Sequence, residues 1–357
     1  MKITIDCRHI DSSGIGVYLK ECLPFFFDTE NYFFLLGDAE KLKFTARREN
    51  TEIVHCTIKP FSIRDVFVFP LALVRKINSS NLFYSPYFNI PSGVKVPIYS
   101  TIHDIVFPDM PELTSKTGRV IRLWFYRRAF KKSCTVFTVS EFSKKRIEFH
   151  LGTSKPVIVT HSAIQPMFLG YKAKTSNAKK NNTIIFVGNM KKNKGLDCLL
   201  DAFLMAKSEG LPHKLIIIGG RENFRTTDKA ILKKINSFNN ESISFNDHVS
   251  NEQLMDYISE ASLLIHPSRY EGFGLPPLEA MVLGTHVLIS DIPVFKEIYE
   301  AFPVTFFRVG DSNDLKEKMM KLLLNKADTH ISLPKHLSTK YTFEKTAAAI
   351  LEKLTFI

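Results

Sequence analysis

The stretch Pro267-Ser-Arg-Tyr-Glu-Gly-Phe-Gly-Leu-Pro-Pro-Leu-Glu-Ala-Met281 decides how the chain is read. An apolar run at residues 263–266 leads into it as a buried strand, and the Pro276-Pro277 pair suits the start of a helix. Between strand and helix, Gly272 and Gly274 let the backbone turn sharply and come close to a ligand. The amides of Gly272, Phe273, Gly274 and Leu275 then lie just before a helix N-terminus, where free donors and the dipole favour an anion. Glu271 sits in the loop and Glu279 in the first turn of the helix. Eight residues of continuous helix would separate two carboxylates by roughly 12 Å, which argues against an acid/base pair flanking one bond. Each is expected to hold a different part of one long ligand.

Working outward, the same strand–loop–helix rhythm recurs. Residues 183–187 read as a strand, 188–195 as a loop and 196–208 as a helix. Strands follow at 214–220, 242–245, 263–266 and 286–290, with a helix at 251–260. Before this series lies a polar segment at residues 172–182, a linker by composition. The first half opens with a strand at 3–6, a glycine turn at 12–16 and a helix from Val17. Further strands are expected at 53–56, 82–85, 97–102 and 135–139. Alternating strands and helices predict an α/β protein of two Rossmann-like, doubly wound domains, 1–170 and 183–340, facing an interdomain cleft. In such sheets ligands sit beyond the carboxyl ends of the strands. Asp6 and Arg8, at the end of the first strand, are placed to pin its turn.

Composition narrows the partners. The chain has 357 residues, 45% hydrophobic and 24% charged, with a formal charge of +12. That balance suits two packed domains, and a basic surface favours phosphorylated ligands, nucleic acid or anionic lipid. Zinc-finger spacing, an RNP-like aromatic motif and long Lys/Arg tracts are lacking, which excludes nucleic acid as the expected partner. No apolar run approaches the roughly 20 residues that span a bilayer. Residues 1–6 read as a strand and not as a secretory signal. Five scattered cysteines suggest reduced thiols and a cytoplasmic protein. Residues 119–132 mix basic side chains with Trp124 and other aromatics. That pattern suits either an interfacial membrane helix or a core helix with a solvated basic face.

The 267–281 stretch resembles the E-x7-E signature of the retaining glycosyltransferases of family four, also called glycosyl transferases group 1, which have the GT-B fold. Phe186-Val-Gly-Asn-Met-Lys-Lys-Asn-Lys-Gly195 is similar to the family's phosphate-binding loop, and residues 215–220 to the next strand and glycine turn. Tyr341-Thr-Phe-Glu-Lys-Thr346 resembles the closing segment, which implies a last helix, 341–357, packing back on the N-terminal domain. Ser13-Gly-Ile-Gly16 and Thr101-Ile-His-Asp-Ile105 resemble the glycine-rich loop and the active-site histidine region.

The resemblance implies roles at each matching position. Glu271 would bind hydroxyls of the transferred sugar, Glu279 the ribose of the nucleotide, and Lys194 the departing diphosphate. His103 would contact the donor sugar and the reaction centre. Gly14, Gly16, Gly188, Asn189 and the 272–275 amides would line the donor. Many relatives carry an arginine in the phosphate loop where this chain has Asn189 or Asn193, so Lys191 or Lys192 would have to supply that charge.

The implied reaction is transfer of a hexose from a nucleotide diphosphate sugar to a glycan or lipid-linked glycan acceptor, without a cofactor. The N-terminal motifs look like those of bacterial mannosyltransferases of polysaccharide and O-antigen assembly. GDP-mannose is the first choice of donor, and UDP- and dTDP-sugars stay open. There is no DxD motif of the kind a metal–diphosphate site needs. A nucleotide-sugar-binding protein without catalysis is the rival reading. A dinucleotide-dependent oxidoreductase is disfavoured, because no GxGxxG follows the first strand.

Overall fold

The computed structural model describes residues 1–43, 48–171, 180–219, 242–247, 249–324 and 331–355. Contacts divide the chain into two compact units: Met1–Asp109, Ser115–Ala163 and Tyr341–Ile357 in one, Met110–Thr114 and Ile164–Lys340 in the other.

The first unit is built on seven parallel strands in the order β3-β2-β1-β4-β5-β6-β7. They are β1 (Lys2–Asp6), β2 (Tyr32–Gly37), β3 (Thr51–His55), β4 (Leu82–Ser85), β5 (Ile98–Thr101), β6 (Thr135–Thr138) and β7 (Val157–Val159). Both faces are covered, so the central strands are buried along almost their whole length: Ile3, Ile5, Leu82, Phe83 and Tyr84 are buried, and so are the polar Thr4, Asp6 and Ser85. The strand order reverses between β1 and β4, the switch point at which such sheets open a crevice. The C-terminal helix Phe343–Thr355 lies in this unit and packs on helix Ser13–Phe27.

The second unit repeats the plan with six parallel strands in the order β10-β9-β8-β11-β12-β13. These are β8 (Asn181–Val187), β9 (Lys214–Ile218), β10 (Ile243–Asn246), β11 (Ala261–His266), β12 (His286–Ser290) and β13 (Thr305–Phe307). Here the switch point lies between β8 and β11. Ile184, Phe186, Leu263 and Ile265 join Leu199 and Phe203 of helix Leu196–Ser208 in one core.

Several expectations change. Gly14 and Gly16 do not sit in a turn before the helix but in the first turn of helix Ser13–Phe27, whose N-cap is Ser12. Strands β2, β7 and β13 add to those read from sequence. Of the polar 172–182 segment, residues 172–179 lie outside the described residues, as does Gly220 at the end of the predicted 214–220 strand. Lys180 is no linker residue. It is buried, with its ammonium on the Ser259 carbonyl at 2.5 Å and on Thr285 Oγ1 at 2.9 Å. Burial pulls its pKa down to about 8. Residues 164–170, read with the first domain, cluster with the second unit. Cys7, Cys22, Cys56 and Cys198 are buried free thiols and Cys134 is exposed.

Candidate active site

In the second unit, the loops that leave β8 and β11 meet at the switch point. After β8 the chain passes Gly188, and Asn189 Oδ1 accepts from the Lys191 amide at 3.3 Å. Lys192–Lys194 then forms one tight 3₁₀ turn. Gly195 ends that turn in the left-handed region, φ 66°, and starts helix Leu196–Ser208. A Cβ there would lie 2.0 Å from the carbonyl oxygen of Pro267, at the end of β11, so only glycine allows the two loops to touch. Gly219 is held by the same rule: its Cβ would lie 2.0 Å from the Gly188 carbonyl oxygen.

The seam between the loops is stitched by hydrogen bonds. The Arg269 amide donates to the Asn193 carbonyl at 2.7 Å, and Asn193 Nδ2 returns to the Tyr270 carbonyl at 3.2 Å. Asn193 is buried in this seam, its side-chain amide spent on the Tyr270 carbonyl. Arg269 spans the seam from the other side. Its guanidinium binds both carboxylate oxygens of Asp197 at 2.7 Å and the Lys192 carbonyl at 3.0 Å. Among the described residues, the arginine beside the phosphate loop is therefore committed to closing it.

Glu271 emerges from this frame with three donors on one oxygen. Its Oε1 accepts from Lys194 Nζ at 2.6 Å, Ser268 Oγ at 2.8 Å and His266 Nε2 at 3.1 Å. No donor reaches Oε2 among the described residues. Burial alone would push the Glu271 carboxyl up, but Lys194 and then His266 outweigh it and hold the pKa far below the usual carboxylate range. His266 is itself kept neutral, mainly by burial. Its proton is on Nε2, since the carboxylate it faces only accepts. The result is a fixed carboxylate with one oxygen saturated and the other open.

Gly274, φ 85°, closes the loop and caps helix Leu275–Val282, with Pro276 at the position a helix start favours. A Cβ on Gly274 would lie 2.5 Å from the Phe295 ring. The Tyr299 hydroxyl also donates to the Gly274 carbonyl. Phe273 and Glu279 are buried. Glu279 is the fifth residue of the helix, one position past the first turn where it was expected. No ion pair or hydrogen bond reaches its carboxyl among the described residues, and burial raises its pKa to about 7.

The first unit carries the remaining predicted residues. His103 follows β5, and its Nε2 donates to the Pro86 carbonyl at 2.9 Å, just past β4. The Tyr18 ring stands edge-on to it at 4.8 Å. Burial, opposed by the Pro86 bond, lowers its pKa to about 4, so the ring is neutral at pH 7. With Nε2 protonated, Nδ1 offers a lone pair. Gly16 packs tightly, since a Cβ would lie 2.3 Å from the Ile10 carbonyl oxygen. Gly14 has nothing within 4 Å of a Cβ. Arg8 pins the turn after β1 by a two-point bridge to Asp6 at 2.6 and 2.8 Å, and reaches Asp65 at 2.7 Å. This burial-shielded bridge keeps Asp6 ionised.

Lys194 and Glu271 are thus brought together, as are Gly188, Asn189, Gly272, Phe273, Gly274 and Leu275 in the two loops beside them. Sequence reading had missed His266, Ser268 and the Arg269–Asp197 clasp. The available signals were a histidine closing an apolar strand and a serine three residues before the glutamate. Among the described residues no group of three His, Cys, Asp or Glu side chains is set to hold a metal.

Residues 170–340 match the family model for glycosyl transferases group 1. They are a glycosyl transferases group 1 domain. The chain is similar to the O-antigen chain mannosyltransferase RfbU of Salmonella typhimurium, at 28% identity over 203 residues, which is 56% of this chain. That match spans about half of the relative's length, 53%. Among solved structures it is similar to sucrose-phosphate synthase from Thermosynechococcus elongatus, with a TM-score of 0.76 at 15% identity over 99% of this chain and 98% of that one. HepE from Anabaena, solved with UDP-glucose, gives a TM-score of 0.72 at 16% identity over the whole of both chains. At such identities these structures establish the fold, which is GT-B. The 267–281 segment and the Lys194 loop both fall inside residues 170–340.

Proposed function

We propose that the chain is a retaining hexosyltransferase that uses GDP-mannose and builds a bacterial surface polysaccharide on a glycan or lipid-linked glycan, at the inner face of the cell membrane. The observation that carries the reading is the Lys194–Glu271 pair at the switch point of a glycosyl transferases group 1 domain. Likeness to RfbU supports mannose as the sugar and O-antigen-like glycan as the product.

Each residue then has a task. Glu271 stays ionised at any working pH, and its open Oε2 accepts hydrogen bonds from hydroxyls of the transferred sugar. Lys194 has further donor capacity beyond its bond to Glu271 and meets the diphosphate. The 272–275 amides, at the start of helix Leu275–Val282, meet the same negative charge. Gly188 and Asn189 border the phosphates, and Glu279 takes the ribose hydroxyls. In the first unit, neutral His103 uses Nδ1 to accept from a sugar hydroxyl, and Gly14 and Gly16 border the donor. The bond from the anomeric carbon to the phosphate oxygen breaks as the acceptor oxygen bonds on the same face. The acceptor's proton passes to the leaving phosphate oxygen, so neither a protein nucleophile nor a metal is required.

The test is turnover with GDP-mannose, UDP-glucose, UDP-galactose and a dTDP-sugar, each with a lipid-linked glycan acceptor. Mannosyl transfer with retained anomeric configuration is expected from GDP-mannose, and its loss in Glu271→Ala. Turnover of another donor alone would replace the sugar assignment. Donor binding without transfer or hydrolysis would support the binding-protein reading instead.

A further inference from the structure

Seven of the twelve exposed large apolar side chains among the described residues fall in two short stretches of the first unit. Ile63, Phe67, Val68 and Leu71 make one, and Val120, Ile121 and Trp124 the other. The two stretches form one surface, because the Phe67 ring stacks on Trp124 with centroids 6.2 Å apart. Phe67 is 67% exposed and Leu71 74%, which leaves most of each side chain in water. Folded monomers rarely group such side chains unless something covers them.

Charge says what covers them. Helix Lys116–Lys132, which carries Trp124, has seven basic residues and no acidic one. Arg127, Arg128 and Lys131 follow Trp124 at three, four and seven residues, so their heads share its face one to two turns further on. No carboxylate pairs with Arg64, Arg119, Arg127 or Lys131 among the described residues. The acid within the apolar stretch, Asp65, is buried against Arg8. A second copy docked on this face would set two rows of cations against each other. A bilayer with anionic headgroups accepts both features at once, apolar tips among the acyl chains and cations at the phosphates.

We infer that the first unit docks on anionic membranes through this ridge, with Phe67, Leu71 and Trp124 inserted and Arg127 and Lys131 at the lipid phosphates. The inference sharpens the membrane location proposed above and does not depend on the donor. Loss of donor turnover, by transfer or hydrolysis, counts against the transferase reading, whereas loss of vesicle binding counts against this surface alone.

Trp124 is the single tryptophan of the chain, so its fluorescence reports on the ridge directly. The full chain should pellet with phosphatidylglycerol/phosphatidylcholine vesicles, with Trp124 emission shifted to the blue and quenched by brominated acyl chains. Phosphatidylcholine alone should do neither. Phe67→Ser with Leu71→Ser should weaken vesicle affinity by roughly 10-fold or more. Arg127→Glu with Lys131→Glu should weaken it at least as far, each basic charge contributing a factor of roughly 5. Phe149→Ser, an exposed apolar residue on another helix, is the control and should change nothing. Thermal melts of all variants exclude misfolding. Pelleting with unshifted Trp124 emission, or unchanged affinity in both double variants, overturns the inference. So does binding of polyglutamate without vesicle binding, which would point to an acidic protein partner.

Discussion

Glu271 and Glu279 stand eight residues apart on one continuous segment and live in opposite electrostatic conditions. Both are buried. Glu271 is held by Lys194, Ser268 and His266, and its pKa is driven far down. Glu279 has burial and no compensating donor, and its pKa rises to about 7. Burial of a carboxyl is therefore not a single physical condition; the partners decide its sign. The first glutamate is a finished anion waiting for a sugar. The second is an unfinished site whose missing partners a ligand's paired hydroxyls would supply.

The largest expected effect comes from dismantling the finished anion. Glu271→Ala should lower kcat/KM by roughly 10³-fold, the scale seen when a group aimed at the reacting centre is lost. Lys194→Ala should cost nearly as much. It should also destabilise the fold, since it strips the strongest counter-charge from a buried carboxylate. Because the pair acts as a unit, the double variant should be little worse than either single one. Additive losses would show that the two side chains serve separate steps, and would break the comparison at its firmer end.

Glu279 gives the next effect, and its sign is opposite for stability and for binding. Its folded-state pKa of about 7 lies above the ordinary glutamate value of 4.5, so between these pH values the folded chain holds a proton that the unfolded chain has lost. Stability from this group is therefore full below pH 4.5 and declines as pH rises towards 7, by about 3 kcal/mol in all. Glu279→Gln should raise the melting temperature at pH 8 and flatten that decline. The same substitution should weaken donor binding, which in the parent should tighten as pH rises through 7 and the carboxylate forms. Calorimetric titration of the nucleotide diphosphate sugar, whose diphosphate has no proton to lose in this range, between pH 5.5 and 8.5 reads this when parent and Glu279→Gln are compared. Glu271 does not titrate in that window, and neutral His103, at about 4, does not either. A flat profile in the parent would sever Glu279 from the ligand.

The same contrast explains what could be read in the sequence. Helix Leu196–Ser208, helix Asn251–Glu260 and β12 were legible to the residue, because apolar periodicity and turn residues bound them on both sides. Strand β2 was not: its run YFFLLG follows the aromatic end of helix Ser13–Phe27 by four residues, and no change of period separates them. The three-residue strands β7 and β13 are too short to show a period at all. At the site, Lys194 and Glu271 were each visible. Their bond was not, since 77 residues separate them and only the adjacency of β8 and β11 brings them together. His266 and Ser268 were hidden for a related reason. Nothing local distinguishes a strand-end histidine that holds a carboxylate from one that fills a core.

The smallest effects sharpen the comparison in the first unit, between two glycines that looked alike in sequence. Gly16 is fixed by contact: a Cβ would meet the Ile10 carbonyl oxygen at 2.3 Å, backbone that cannot swing away. Gly16→Ala should therefore cost roughly 2–3 kcal/mol, as overpacking against a rigid neighbour does. Gly14, two residues earlier in the same helical turn, meets nothing within 4 Å. By helix propensity alone Gly14→Ala should stabilise the fold by roughly 0.5–1 kcal/mol. A glycine kept where alanine would be more stable has its reason outside the fold, in something that approaches the bare backbone. Gly14→Ala should accordingly melt higher and turn over several-fold more slowly, through a raised KM for the donor. A melt and a donor titration on the same preparation decide it, and unchanged KM would remove Gly14 from the donor's surroundings.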